Sequence, residues 1–195
     1  LILNIGTRAA TGILNPEEVT IERGIIVNEK IVTGAHGAGG EIGHAFVNPA
    51  ETKACNCGNK GCLEQYASAT GIARLAKEAL ESETEDSVLR TVKNISAKRV
   101  FDAYKEGDVL AGKIVDKFAA YLGNALAVFA CVSDPDVFVI GGGVSKAGQV
   151  LIDAVEKYYK AHAFTASKET PIKLATLGND AGIYGAAKLI LSKDN

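Results

Sequence analysis

The 195-residue sequence contains no methionine and begins at Leu1, so we expect it to be a fragment of a longer protein. It also lacks an excess of either charge, because 21 basic and 23 acidic residues leave a net charge of −2. Such a balance gives no general attraction to nucleic acid or to a membrane surface. No apolar run approaches the roughly 20 residues of a membrane span, and no basic segment precedes residues 1–5 as in a secretory signal.

Cysteine is scarce and unevenly placed. Three of the four cysteines lie within eight positions, whereas Cys131 stands apart in an apolar stretch. Three clustered thiols cannot all pair with one another, so a disulfide framework explains them poorly. Metal ligation in a reducing compartment explains them better, and we therefore expect a cytoplasmic protein.

A histidine precedes the cysteine cluster, with ten residues between it and the first thiol. Structural zinc takes four nitrogen or sulfur ligands in a tetrahedron. The loop 48–61 has little apolar content, so a metal would supply order that burial cannot. The sequence predicts a structural zinc site with the ligands His44, Cys55, Cys57 and Cys62. His36 and His162 compete for the fourth position, and the alternative to a metal is a group of ordinary free thiols.

Strand patterns dominate the beginning of the chain. Segments rich in β-branched residues predict strands near residues 1–5, 20–27, 30–33 and 43–47, with a turn at Asn28-Glu29. Further on, the continuous apolar run 137–140 is typical of a strand that is covered on both faces.

Helical spacing follows from position 69 onward. We predict helices over 69–80 (capped by Ser68 or Thr70), 96–104, Asp108 to 131, 145–161 and 180–191, and a strand over 172–175. The alternation of strands and helices predicts an α/β fold with a mixed or parallel sheet.

Two motifs are far more specific than these patterns. Residues 34–44 read GAHGAGGEIGH, and residues 55–64 read CNCGNKGCLE. Together they resemble the signature of the ROK (repressor, open reading frame, kinase) family, in which Glu-x-Gly-His is followed by Cys-x-Cys-Gly-x-x-Gly-Cys-x-Glu. The continuation YASATG at 66–71 resembles the glucokinase branch. Further blocks that resemble the family are DPD at 134–136, VIGGGVS at 139–145 and LGNDAG at 177–182.

The resemblance implies an actin-like ATPase (ribonuclease H-like) fold of two lobes, with a zinc-bound loop and a sugar in the cleft. Residues 1–195 would form the C-terminal lobe. The implied sugar contacts are Gly39, Glu41, His44 and Glu64, and the implied adenosine contacts are Gly141, Gly142, Gly143 and Val144. Carboxylates suit a sugar because they accept hydrogen bonds from its hydroxyls. On spacing alone, Glu41 and Glu64 would be interpreted as solvated charges, and the glycine turn as a packed strand-to-helix connection.

The activity that the resemblance implies is phosphorylation of glucose to glucose 6-phosphate by ATP with Mg. His44 would bind zinc through one ring nitrogen and a sugar hydroxyl through the other. We also expect a homodimer or a higher homo-oligomer. The alternatives are a sugar-responsive repressor of the same family, which would carry a DNA-binding helix-turn-helix, and a catalytically incomplete fragment. Glucose, mannose and N-acetyl sugars use similar contacts, so the hexose stays open.

Two family features are missing from the sequence. No glycine run of the kind that holds ATP phosphates precedes the segment 24–26, and Glu22 would repel a phosphate there. The Asp-Asn-Asp-Ala-Asn type motif that carries the family's general base is also absent, as is the Asp-x-Gly-Gly-Thr phosphate loop. Asp134 and Asp180 belong to other family blocks. We therefore assign no catalytic residue to the chain and expect residues 1–195 alone to be inactive.

Overall fold

Strands and helices alternate through the part of the chain that the structure, a computed structural model, describes: residues 2–7, 19–27 and 30–176. The strands are β1 (Ile2–Thr7), β2 (Val19–Gly24), β3 (Ile26–Val27), β4 (Lys30–Ile31), β5 (Phe138–Gly141) and β6 (Ile172–Leu174). The helices are α1 (Glu64–Ala67), α2 (Ala69–Ser82), α3 (Ala97–Lys105), α4 (Val109–Ser133) and α5 (Gln149–His162). Short 3-10 turns lie at Ile42–His44, Val88–Thr91, Gly143–Ala147 and Thr165–Ser167.

A four-stranded mixed sheet runs in the order β2-β1-β5-β6. β1 is antiparallel to β2 and parallel to β5, and β6 is parallel to β5. The β5 side chains of Phe138 and Ile140 are fully buried, as a continuous apolar run predicts. The prediction of an α/β fold with a mixed or parallel sheet is confirmed, and the mixed form is the one observed.

Polar side chains begin three of the helices. The side-chain oxygens of Ser68, Ser96 and Asp108 each accept the backbone N–H three residues further on, at 2.9, 3.4 and 2.8 Å. Each of them satisfies a donor that the first helical turn leaves without an intrahelical partner. The predictions of α2, α3 and α4 are confirmed, with small shifts at the ends.

The core is organised around α4, which packs against α1, α2, α3 and α5. Its sequence is apolar on more than one face, and Leu110, Phe118, Leu122 and Leu126 are fully buried. By length and composition α4 could cross a membrane, but 56% of its most apolar window is buried inside the protein. That burial is what the central helix of a packed core requires.

The strand predicted at 43–47 is wrong. The 3-10 turn Ile42–His44 occupies its start, and Phe46 forms only an isolated antiparallel bridge with Cys62. The next two backbone N–H groups both donate to the single carbonyl of Gly61, at 2.8 and 3.3 Å. A shared acceptor cannot extend a ladder, so the segment stays a loop.

Other elements differ at their ends. Gly148, with φ 80°, separates the 3-10 turn from α5, so the helix predicted at 145–161 begins later than expected. The strand predicted at 20–27 is divided at Ile25 into β2 and β3. β1, β4, β5 and β6 lie where strands were predicted. The turn Asn28-Glu29, the motif 177–182 and the helix 180–191 lie outside the described residues.

The helices α4 and α5 cross closely at Gly123. A Cβ atom added to this glycine would lie 2.6 Å from the carbonyl oxygen of Val155 and 2.7 Å from the Cβ atom of Tyr158. Both distances are far below van der Waals contact, so any larger residue would push the two helices apart.

Gly123→Ala is therefore expected to lower the free energy of unfolding by about 1–3 kcal/mol. Gly112→Ala in the same helix is the matched control, because its added Cβ would meet only Tyr104 Cδ2, at 3.9 Å. That control should be neutral or stabilising by about 0.5–1 kcal/mol, since alanine is the better helix former. Urea denaturation measures both variants, and equal stabilities would contradict the close crossing.

Candidate functional site

Three thiols and one imidazole converge beside the start of α1. One ligand atom from each of His44, Cys55, Cys57 and Cys62 lies within 4.8 Å of all the others. The Sγ atoms of Cys57 and Cys62 are 3.6 Å apart, and Cys55 Sγ is 3.8 Å from His44 Nδ1. With Zn–S near about 2.3 Å and Zn–N about 2.0–2.1 Å, the edges of a tetrahedral site are about 3.5–3.8 Å long. Both of these distances match such an edge, and the chemistry of the four residues suits zinc.

The loop 48–62 reaches this arrangement through its backbone. At the tip, the Cys55 N–H donates to the carbonyl of Asn59 at 2.7 Å. At the base, Gly61 has φ 75°, and a Cβ atom there would lie 2.1 Å from the carbonyl oxygen of Asn48. The base can close in this way only around a glycine. Most of the loop between these points is exposed.

His44 presents its two ring nitrogens to different neighbours. Nδ1 faces the metal cluster, 3.8 Å from Cys55 Sγ and 3.7 Å from Glu64 Oε1. Nε2 lies 3.6 Å from Glu41 Oε2. One nitrogen is therefore available to a metal while the other points toward a carboxylate that is open to solvent.

The two carboxylates predicted to bind sugar flank this histidine at different depths. Glu64 is the first residue of α1, its side chain is only 9% exposed, and its Oε1 accepts a hydrogen bond from the Cys55 thiol at 2.7 Å. The side chain of Glu41 is 55% exposed. The structure thus brings Glu41, His44 and Glu64 together around the metal cluster.

Glu64 also borders a polar recess of about 220 Å³ between the loop and the beginning of α2. Cys55, Ser68 and the two cations Lys53 and Arg74 contribute to its walls. One buried carboxylate therefore faces both the metal cluster and a space that suits a small polar ligand.

The remaining predicted sugar contact is Gly39. Its N–H donates to the carbonyl of Thr33 at 2.8 Å, within the glycine-rich turn. A contact from Gly39 to a ligand would therefore use its carbonyl oxygen.

The thiols of the cluster differ in acidity. Burial and the Glu64 carboxylate raise the pKa of Cys55, and burial together with the Cys57 thiol raises the pKa of Cys62. The backbone N–H of Asn59 lowers the pKa of the exposed Cys57. Because a metal displaces thiol protons, the hydrogen bond from Cys55 to Glu64 belongs to the metal-free protonation state.

The glycine turn predicted to contact adenosine follows β5. Gly141, Gly142 and Val144 are buried and Gly143 is exposed. The carbonyl of Gly142 accepts hydrogen bonds from the N–H and the hydroxyl of Ser145, at 3.2 and 2.6 Å. A cavity of about 90 Å³ lies between this turn and α3, and its lining residues are Ala97, Lys98, Phe101, Asp102, Gly143, Val144, Lys146 and Ala147.

The competing ligands lie away from the cluster. His36 is exposed in the glycine-rich turn, and His162 ends α5 with Nδ1 3.1 Å from the carbonyl of Tyr158. Cys131 is exposed on α4. Among the residues that the structure describes, His44 is therefore the histidine that joins the three thiols.

Sequence reasoning missed a polar network at the base of the loop. Glu51 Oε2 accepts the Tyr66 hydroxyl at 2.6 Å and lies 3.0 Å from Arg74 Nη2. The other carboxylate oxygen accepts the next two backbone N–H groups, both at 3.0 Å. Asn48 Nδ2 donates to the Tyr66 oxygen at 2.7 Å. No spacing signal marks Glu51, because its partners come from two different helices.

The contacts of this network change the pKa values of both Glu51 and Tyr66. Burial alone would raise the pKa of Glu51, but the Tyr66 hydroxyl, the loop amides and the Arg74 charge outweigh it and hold the pKa at about 2, against an ordinary 4.5. Burial and the same carboxylate raise the pKa of Tyr66 to about 12. Glu51 therefore stays a charged acceptor and Tyr66 stays a protonated donor across the physiological pH range.

A family model described as the ROK family matches residues 20–193. The chain belongs to the ROK family. It is 42% identical over 176 residues to a glucokinase from Halalkalibacterium halodurans, covering 88% of this chain and 53% of that protein. It is 33% identical over 184 residues to an N-acetyl-D-glucosamine kinase from Haemophilus influenzae, covering 87% and 55%. The chain thus spans about half the length of the curated relatives that it matches.

Solved structures agree with this assignment. A ROK family glucokinase from Streptomyces griseus, in complex with glucose and AMPPNP, has a TM-score of 0.80 and 31% identity, covering 96% of this chain and 59% of that one. A ROK family transcriptional regulator, a homologue of the E. coli MLC protein, has a TM-score of 0.76 and 27% identity, covering 95% and 44%. The ROK chain described here therefore has the actin-like sugar kinase fold that its motifs implied.

The four-ligand cluster predicts one zinc ion per chain. Cys57→Ser and His44→Ala should each weaken zinc binding by on the order of 100-fold or more, since loss of a direct ligand exceeds the effect of losing a supporting contact. Cys131→Ser is the matched control and should keep the wild-type affinity. Competition with a chromophoric chelator measures all three variants. Wild-type affinity in His44→Ala would remove the histidine from the site.

The Glu51 network predicts a pH-dependent contribution to stability. Because the pKa of Glu51 is about 2 in the folded protein against an ordinary 4.5, its contribution is complete above pH 4.5 and is lost as the pH falls through 2. Glu51→Gln should therefore lower the free energy of unfolding by roughly 2–4 kcal/mol at neutral pH. Denaturation curves from pH 7 to pH 2.5 should show that the difference in free energy of unfolding between the variant and wild type becomes smaller. A difference that does not change with pH would contradict this account.

Proposed function

We propose that this chain is the sugar-binding C-terminal lobe, residues 1–195, of an ATP-dependent glucokinase. The observation that supports the proposal most directly is the gathering of Glu41, His44 and Glu64 around one four-ligand metal cluster, in a chain of the ROK family. Glucose is the favoured hexose because the 42% identical relative is a glucokinase and the Streptomyces griseus enzyme has glucose bound.

The sugar site follows from the hydrogen-bonding needs of a hexose. Each hydroxyl can donate and accept, and a carboxylate offers two oxygens that accept such donors strongly. Glu64, which is held at the start of α1, would accept hydrogen bonds from sugar hydroxyls on the buried side of the site. Glu41 and the Nε2 atom of His44 would contact hydroxyls on the more exposed side. A carbonyl contact from Gly39 would complete the set.

Zinc would be held by His44, Cys55, Cys57 and Cys62, and when bound it supplies order rather than chemistry. The loop 48–62 has little apolar surface to bury, so cross-linking by a metal fixes what packing cannot. Ligation through Nδ1 would fix the orientation of the imidazole and so direct Nε2 at the sugar.

The nucleotide would lie against the turn Gly141, Gly142, Gly143 and Val144. The lining of the cavity between this turn and α3 includes Phe101 and Val144, which suit the apolar face of an adenine ring, and Lys98 and Lys146, whose charges suit a phosphate. The sequence lacks the Asp-x-Gly-Gly-Thr phosphate loop and the general-base motif, so we assign the Mg ion and the catalytic base to the other half of the protein. The half described here would bind and orient the sugar and the adenosine. Positioning of the reactants is a main contribution to the catalysis of phosphoryl transfer.

Two alternatives have specific support. The N-acetyl-D-glucosamine kinase relative favours a hexose with a substituted amino group. The structural match to a transcriptional regulator favours a sugar-responsive repressor, in which the same lobe would sense sugar and a separate segment would bind DNA. A cytoplasmic location and a homodimer or higher homo-oligomer stay predictions.

The whole protein is expected to convert glucose and MgATP to glucose 6-phosphate, and residues 1–195 alone should not.

Glu64→Gln should lower kcat/KM for glucose by about 10- to 100-fold. A hydrogen bond to a charged acceptor contributes about 1.5–3 kcal/mol, and this is the contribution that the variant loses. Glu156→Gln on α5, which pairs with Lys160 at 2.9 Å, is the surface control and should match wild type. A coupled assay measures each variant.

Substrate competition separates the alternatives. If N-acetylglucosamine were phosphorylated with a higher kcat/KM than glucose, the choice of glucose would be wrong. If the whole protein phosphorylated no hexose and instead bound DNA in a sugar-dependent way, the repressor would replace the kinase.

A further inference from the structure

The polar network at the base of the loop is joined to the predicted sugar contact by one short helix. Glu64 and Tyr66 are two residues apart within α1. The loop 48–62 therefore meets α1 twice: its last residue, Cys62, lies just before the helix, and its base is bonded to Tyr66. A displacement of the base relative to α1 must alter the position of Glu64 relative to the metal ligands.

Tyr66 is a fixed point for this attachment. Its ring is buried and stacks on Tyr121 of α4, with centroids 4.0 Å apart and planes inclined by 22°. The guanidinium of Arg74 lies over the ring, 5.0 Å from its centroid. The hydroxyl that Glu51 accepts is thus held by the core of the protein rather than by the loop.

A second tie runs through the neighbouring residue Gln65. Its Oε1 accepts the Cys62 N–H, and its Nε2 donates to the carbonyl of Lys53, both at 3.0 Å. The backbone carbonyl of Gln65 accepts two hydrogen bonds from Arg74, at 2.8 and 3.3 Å. The same Arg74 pairs with Glu51 at 3.0 Å. The loop and α1 are therefore connected through one continuous set of hydrogen bonds, of which those made by Arg74 and Glu51 are charge-assisted.

We propose that Glu51 is a positioning residue for the sugar, because it fixes the base of the loop to Tyr66 and Arg74 and so sets the relative placement of Glu64 and His44. This inference rests on the proposed sugar-binding function. Glu51 itself is four residues from the first thiol ligand and acts through the loop and α1. Glu64 and His44 would bind sugar hydroxyls equally in the ground state and in the transition state, so a loosened base should weaken glucose binding rather than slow the chemical step.

The test compares Glu51→Gln and Tyr66→Phe in the whole, zinc-loaded protein. Glu51→Gln keeps the size of the side chain and removes the charge that Tyr66 and Arg74 share. We expect the KM for glucose to rise on the order of 10-fold, while the KM for ATP, kcat and the zinc content stay within about twofold of wild type. Tyr66→Phe should act in the same direction, and the double variant should cost less than the two single changes combined, because both remove the contact between Glu51 and Tyr66.

Asp116→Asn is the matched control. Asp116 on α4 also accepts a tyrosine hydroxyl, that of Tyr158 at 2.6 Å, and pairs with a cation, Lys157 at 2.8 Å, but both partners lie on α5. Its loss should leave the KM for glucose unchanged. Circular dichroism at the assay temperature checks that every variant is folded.

The outcomes separate this inference from the function on which it rests. A wild-type KM for glucose in Glu51→Gln, or an equal rise in the KM for ATP, would overturn the positioning role and leave the kinase intact. Additive effects in the double variant would also overturn it. If the wild-type protein bound and phosphorylated no hexose, the proposed function and this inference would fail together.

Discussion

The candidate site depends on a loop that has almost nothing to bury. In the loop 48–62, Cys55, Gly61 and Cys62 are buried, and the remaining residues are exposed or half-buried. The hydrophobic effect therefore cannot order this segment, because it acts in proportion to apolar area removed from water. Order must come from specific polar contacts, at the tip through the four side chains that we propose bind zinc and at the base through Glu51. The position of Glu64 follows from both.

The rest of the fold supplies the rigid body against which the loop is held. α4 carries the core, and its closest crossing, at Gly123, locks it to α5. Tyr121 of α4 also stacks on Tyr66, and this contact fixes α1 to the central helix. A polar loop can hold functional side chains in a fixed geometry only when a rigid element packs against it. The short α1 could not provide this alone, since four residues form a single turn.

Much of this architecture could be predicted from the sequence where local signals are strong. Capping residues at Ser68 and Asp108 and the apolar run of β5 predicted their elements, and the spacing of three cysteines predicted their convergence. The strand at 43–47 was predicted wrongly, because β-propensity does not reveal whether a partner strand exists. The Glu51 network could not be predicted, since its contacts join residues 15 and 23 positions apart that only the tertiary fold brings together.

The most direct test of the central claim is calorimetric titration of glucose into the whole protein, once loaded with zinc and once stripped by a chelator. If metal ligation orders the loop that positions His44 and Glu64, stripping should weaken glucose binding on the order of 10-fold or more, and added zinc should restore it. Equal glucose affinity in the stripped and loaded protein, with unchanged amide exchange in the loop, would contradict the account.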